Sequence, residues 1–139
     1  MKFVLLVLST VLFSTLFCPM VRAVPSMPDD VQMVQPDPSL PKDISAFWGK
    51  WQGISGNEEW FLIVEKIGEE KARLYHWRTG SGRRGSPGWR RTKAEVIQDR
   101  GKYKLRFIGV EGTNELTLRG KYLDWFGPNA LSIVLTPVP

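Results

Sequence analysis

The clearest hydrophobic pattern of the chain lies at residues 102–107, where the sequence KYKLRF alternates cations with apolar side chains. The same period of two recurs at residues 115–119, ELTLR, and at residues 131–136, LSIVLT. Because successive side chains of a strand point to opposite faces, each segment predicts a strand with one face toward a core and one toward water. Residues 60–64, WFLIV, are apolar on both faces, which indicates that a plug, a terminal segment or a partner covers the second face.

Turn residues such as glycine and asparagine interrupt the chain at short intervals after residue 44. Antiparallel strands joined by hairpins leave two exposed edges, and closing the sheet removes both. The sequence therefore predicts an all-β fold, a small eight-stranded antiparallel up-and-down barrel, whose interior is filled by side chains or holds one small ligand. The predicted strands are Trp48–Ile54, Trp60–Ile67, Ala72–Arg78, Trp89–Gln98, Tyr103–Ile108, Glu115–Leu118, Tyr122–Phe126 and Leu131–Thr136.

The first 23 residues are typical of a secretory signal peptide. Lys2 precedes an uncharged, largely apolar run at residues 3–18, and small residues lie at the end of the segment up to Ala23. We expect cleavage after Ala23, export to the periplasm or the medium, and no transmembrane helix in the mature chain, because a spanning helix needs ~20 apolar residues. Acylation of Cys18 as a lipoprotein is the alternative, but Phe17 is bulky where that processing requires a small residue.

Residues 24–43 differ sharply in composition from the chain after residue 43. They contain five prolines, which deny a helix or a sheet interior its backbone donors. This stretch predicts a Pro-rich flexible lead in an extended conformation, with a Pro-rich recognition peptide as the alternative. The predicted organisation is a signal peptide at 1–23, the lead at 24–43 and a barrel domain at 44–139.

Composition excludes several kinds of site. The chain has one histidine and one cysteine, too few for a zinc cluster or a disulfide framework. No Gly-x-Ser-x-Gly motif or comparable constellation accompanies His76, which a strand would place on the face of Leu74, opposite Tyr75. We therefore expect no metal, no cofactor and no catalytic residues. A hydrolase with paired carboxylates is the least favoured class.

The strongest local concentration of charge lies between Arg78 and Lys93, where six cations occur without an acid among several glycines. Guanidinium groups on such a backbone can clamp a phosphate or a carboxylate, which makes Arg83, Arg84, Arg90 and Arg91 candidate ligand-binding residues. An exported protein seldom meets nucleic acid, so a small amphiphilic or anionic ligand, or an acidic envelope component, is the expected partner. A solvated loop that only aids solubility is the alternative.

All six tryptophans lie after residue 43. A buried indole covers ~150 to 250 Å², so most of them are expected to be packing residues. Trp77 and Trp89 flank the longest predicted loop, and for that reason they are the candidates for contact with a ligand.

The segment Phe47-Trp48-Gly49-Lys50-Trp51 resembles the Phe-x-Gly-x-Trp opening of lipocalins and their calycin relatives. Residues 48–136 as a whole are similar to small exported bacterial lipocalin-like domains, a group without a defined activity. The resemblance implies that Trp51, with Gly49 beside it, closes the barrel floor. The family's final-strand arginine over that tryptophan is missing here, and Arg119 is a possible substitute. The opening also resembles avidin-type barrels, without their ligand-contact pattern.

The sequence thus predicts an exported, non-enzymatic barrel that binds a small ligand or an envelope component through aromatic contacts and a basic loop. The alternative is an interaction or accessory module of the cell envelope with a filled barrel. An accessible pocket favours the first, and a solid interior favours the second. The ligand and the oligomeric state are left open.

Overall fold

The computed structural model describes residues 25–79 and 88–139. The predicted signal peptide at 1–23, Cys18 and the two loop arginines Arg83 and Arg84 therefore lie outside the described residues. Within the described ranges, no helix is long and apolar enough to cross a lipid bilayer.

Almost all regular structure in the described chain is β-strand, which confirms the predicted all-β class. Each strand begins and ends within three residues of its predicted bounds. The elements are α1 (Lys42–Ser45), β1 (Gly49–Ser55), β2 (Glu58–Ile67), β3 (Lys71–Arg78), β4 (Arg90–Asp99), β5 (Lys102–Gly109), β6 (Gly112–Arg119), β7 (Tyr122–Phe126) and β8 (Ser132–Val138).

The sheet is a closed barrel in which each strand pairs antiparallel with the next and β8 pairs with β1. Closure confirms the predicted up-and-down topology, because it satisfies the edges that an open sheet would expose. Gly53 lies beside this seam. A Cβ there would come within 2.5 Å of the Val134 carbonyl oxygen, so only glycine lets β1 and β8 approach so closely.

Alternation along the strands fills the interior with apolar side chains. Leu62, Leu74, Leu105, Leu116 and Leu123 are fully buried. In an up-and-down barrel, alternate connections lie at the same end, so the β1–β2, β3–β4, β5–β6 and β7–β8 connections share one end, which we call the open end. The other connections share the opposite end, which we call the closed end.

A helical turn covers the closed end. Ile44 of α1 and Phe47 just after it are buried in the same apolar core as the strands. The Trp51 indole Nε1 donates a hydrogen bond of 3.0 Å to the Phe47 carbonyl oxygen. The short helix thus holds the entry to β1 against the barrel.

Residues 26–34, which we call the strap, lie along the outer face of β2 and its neighbours. The Val34 amide donates to the Glu65 carbonyl oxygen at 2.8 Å, and the Trp89 Nε1 donates to the Ser26 carbonyl oxygen at 2.8 Å. The outward side chains of β2, including Ile63 and Glu65, are buried. The proline content predicts an extended backbone here but not these contacts, which explain why residues 60–64 are apolar on both faces.

Candidate functional site

A small cavity of about 70 Å³ opens at the open end of the barrel, and we call it the cup. Inward-facing residues near the ends of six strands line it, because alternation directs polar or aromatic side chains of each of these strands toward the same opening, and β3 contributes two. These residues are Trp60, His76, Arg78, Arg90, Phe107, Asn114 and Trp125.

The base of the cup is a cluster of aromatic rings. Trp125 is at its centre, with ring centroids 5.2 Å from Trp60, 5.6 Å from Phe107 and 5.7 Å from His76. These pairs meet edge to face, the geometry that aromatic quadrupoles prefer. The base is therefore apolar and densely packed.

The two indoles at the base differ in their hydrogen bonds. Trp125 Nε1 donates to Asn114 Oδ1 at 2.9 Å, and the Asn114 amide is in turn held by the Gly112 carbonyl oxygen. Trp60 Nε1 is buried and has no acceptor among the described residues. A buried donor without a partner carries a desolvation cost that no hydrogen bond offsets.

Two guanidinium groups give the cup its charge. Arg78 pairs in register with Trp60 and lies over its indole, with Cζ 5.7 Å from the ring centroid. Arg90 pairs in register with His76 on the neighbouring strand. Glu111 also lines the cup, and it is the acidic residue among the described lining residues.

His76 is neutral at physiological pH in this environment. Burial, followed by the positive charges of Arg90 and Arg78, lowers the pKa of His76 to about 4. A neutral imidazole keeps one N–H donor and one acceptor nitrogen. The cup thus combines two permanent cations and the Glu111 carboxylate with two neutral ring donors, His76 and Trp60.

The two tryptophans predicted to contact a ligand lie together outside the cup, and their role in ligand binding stays a prediction. Trp77 and Trp89 do come together, with ring centroids 6.4 Å apart, but on the outer face of the barrel rather than in the cup. Trp77 also packs on Phe61 at 5.3 Å, and Trp89 packs on Tyr75 at 6.5 Å. Alternation is the reason, because residues of odd number on β3 point outward together with Tyr75.

The neighbouring arginines of β4 point to opposite faces. Arg90 lines the cup, whereas Arg91 lies on the outer face with its Nη2 2.8 Å from Glu65 Oε1. Arg91 also lies over the Tyr75 ring and 3.5 Å from Asp30 of the strap. Its hydrogen bond to Glu65 raises the pKa of Arg91, so this charge is already neutralised within the protein.

Glu65 is the anchor of the strap. Its side chain is fully buried, accepts hydrogen bonds from Arg91 and from the Gln32 amide, and forms an ion pair with Arg73. Burial raises the pKa of Glu65, but the hydrogen bonds from Arg91 and Gln32 and the charge of Arg73 outweigh burial, so the pKa lies below its usual value. The carboxylate is therefore ionised and structural at neutral pH.

The two residues assigned to the barrel floor lie at the closed end. Trp51 is buried against Phe47, and Gly49 begins β1 with φ +126°, a conformation that favours glycine. Arg119 does not cover Trp51. Its exposed guanidinium instead binds Asp124 on the outer face at 2.8 Å.

Alternation could have located most of the cup. Arg78 lies two residues from His76 and four from Leu74, so it shares their inward face, and it belongs to the basic stretch noted in the sequence. Trp60 and Trp125 lack such a signal, because nothing local shows that their side chains meet across the barrel interior. Among the described residues, no three histidine, cysteine or acidic side chains are grouped to hold a metal ion.

Fold and site together define a class: a closed eight-stranded antiparallel barrel with one end covered by a helical turn and a cationic aromatic cup at the other. Comparison of the chain with protein families, with curated proteins and with solved structures finds no match.

Proposed function

We propose that the protein is an exported, lipocalin-like barrel that binds a small anionic ligand at its open end and catalyses no reaction. One observation carries this proposal: Arg78, Arg90 and Trp60 line the same cavity, and the buried Trp60 N–H has no acceptor among the described residues. All three groups are donors, and an anionic oxygen is the partner that satisfies all of them.

The size of the cup limits how much of a ligand can enter. Pockets for whole drug-sized ligands measure ~300 to 1,000 Å³. The cup measures about 70 Å³, room for roughly two waters at ~30 Å³ each. A single carboxylate or phosphate group therefore fits the cavity, and the remainder of an amphiphilic ligand would lie outside it.

The chemistry of the lining favours such a group. Each guanidinium can present a planar pair of N–H donors to two oxygens of a carboxylate or phosphate. The aromatic base excludes water, which strengthens these charge-assisted hydrogen bonds. Neutral His76 can add a donor without contributing a third repelling cation.

Calorimetric titration with inorganic phosphate and with a short-chain carboxylate tests the proposal. We expect binding that the double variant Arg78→Gln/Arg90→Gln weakens about tenfold or more, since a hydrogen bond to a charged group contributes ~1.5 to 3 kcal/mol. The matched control is Arg100→Gln/Arg119→Gln, which removes the same charge at the closed end. Equal weakening by both double variants would attribute binding to net charge and contradict the site.

A second candidate has its own supporting observation. Below the cup, the inward side chains pack together, so the described interior is mostly filled. A filled barrel favours an interaction or accessory module of the cell envelope. Native mass spectrometry of protein purified from its own envelope distinguishes the two, because the first retains a small anionic molecule and the second retains a protein partner.

A further inference from the structure

The open end carries exposed apolar side chains around the cup. Val110, in the β5–β6 turn, is 79% exposed and lines the cup, and Ile108, one residue before the end of β5, is 71% exposed. Ile54 and Phe126 stand at equivalent positions near the ends of β1 and β7 and are also exposed. Ile54 further shares an outer depression with Phe61 and Val134.

The closed end has the opposite character. Its described turns carry Glu69, Glu70, Arg100 and Lys121, all of them exposed. Single exposed apolar residues are ordinary on soluble proteins. The open end also carries acids, Glu58 and Glu59 at the start of β2 and Glu111 in the β5–β6 turn, so the two ends differ in their exposed apolar side chains rather than in the presence of charge.

The strap runs along the barrel from the open end toward the closed end. It begins beside Trp89 at the open end, where the Ser26 carbonyl accepts the indole hydrogen bond, and it runs toward Leu40 and α1 at the closed end. The N-terminal end of the strap therefore lies at the open end, on the same side as the apolar residues.

We propose that the open end docks on a lipid bilayer and that the ligand of the cup is the anionic headgroup of a membrane lipid. This proposal rests on the anion-binding function proposed above and names the source of the anion. Exposed apolar side chains that surround cations suit the boundary between headgroups and acyl chains, where apolar groups are buried and anionic lipids attract basic groups. Val110 and Ile108 enter this boundary, while Arg78 and Arg90 hold the headgroup phosphate.

Vesicle sedimentation with the exported chain provides the test. Phosphatidylcholine vesicles with and without phosphatidylglycerol are compared for the wild type and for Ile54→Ser/Ile108→Ser, which removes apolar contact at the open end without changing charge or the lining of the cup. We expect binding that requires phosphatidylglycerol and falls at least fivefold in the double variant, while its binding of inorganic phosphate in solution is unchanged. Val34→Ser, an exposed valine on the strap, is the matched control and should bind vesicles as the wild type does.

The outcomes separate the two proposals. Phosphate binding in solution without vesicle binding, or equal vesicle binding by the double serine variant and the wild type, overturns membrane docking and leaves anion binding in place. If neither phosphate binding nor vesicle binding is detected, the anion-binding proposal and the membrane-docking proposal are both overturned. A dimer in light scattering that the double serine variant converts to a monomer would assign the apolar residues to a second copy of the chain and also overturn docking.

Discussion

The two ends of the barrel differ in whether the indole N–H of a buried tryptophan has a hydrogen-bond acceptor. At the closed end, α1 and the residues after it supply apolar side chains and a backbone acceptor, so that Trp51 is both buried and hydrogen-bonded. At the open end, Trp60 is buried to a similar extent, but its indole N–H has no acceptor among the described residues, and two guanidinium groups line the same cavity. An end whose hydrogen-bond donors find acceptors within the protein contributes stability. An end whose donors have no acceptor is available for a ligand.

The largest expected effect tests the closed end. Trp51→Ala should lower the free energy of unfolding by about 3 to 5 kcal/mol, because it removes a buried indole and leaves a cavity. Chemical denaturation monitored by circular dichroism measures the change. A loss below about 1 kcal/mol would show that α1 and Phe47 do not depend on this side chain and would remove the contrast between the ends.

The next effect concerns the buried carboxylate under the strap. Glu65→Ala should cost about 2 to 3 kcal/mol, since it leaves Arg73 without its anion and Arg91 with the more distant Asp30. The partial exposure of both arginines reduces the cost from that of a fully buried pair. The amides of Gln32 and Val34 should then exchange hydrogen faster. Glu115→Ala, which breaks more exposed ion pairs with Arg106 and Lys104, is the control and should cost less than about 1 kcal/mol.

Lowering the pH should reveal the lowered pKa of His76 as a loss of stability. The pKa of His76 is about 4 in the folded protein and near 6.5 when unfolded, so below pH 6.5 the unfolded chain takes up the proton first. Stability therefore falls as the pH drops from about 6.5 toward 4, by about 2 kcal/mol at pH 5. His76→Asn should remove this slope between pH 7 and pH 5. An unchanged slope would show that other groups cause it.

The acid response of Glu65 lies in a lower pH window and can be separated from that of His76. Because its folded pKa is below the usual value near 4.5, its contribution is present at neutral pH and is lost as the pH falls through the lowered value. Measurements above pH 5 thus report mainly on the cup, and measurements below pH 4 report on the strap as well.

The local sequence pattern is sufficient to predict the barrel, but it is insufficient to predict the candidate site. Alternation of apolar and charged residues at 102–107 locates β5 and its inward Leu105 and Phe107, because the period of a strand is a local property. The ion pair between Glu65 and Arg91 cannot be found that way, since it depends on the register of β2 to β4 and on where the strap lies. Proximity to a loop favours Trp77 as a ligand contact, although alternation already places it on the outer face.

The smallest expected effect on stability gives the sharpest comparison, because it uses two adjacent arginines. Arg90→Gln should leave the free energy of unfolding within about 0.5 kcal/mol, as for other exposed substitutions, yet weaken phosphate binding. Arg91→Gln should do the reverse: phosphate binding persists, and stability falls by about 1 kcal/mol because Glu65 loses its 2.8 Å partner while Arg73 remains. The two variants carry the same chemical change on neighbouring residues, so a difference between them can arise only from the face of β4 on which each side chain lies. If Arg90→Gln and Arg91→Gln weakened phosphate binding equally, the two faces of β4 would act as one diffuse basic surface. That result would contradict the assignment of the cup as the binding site.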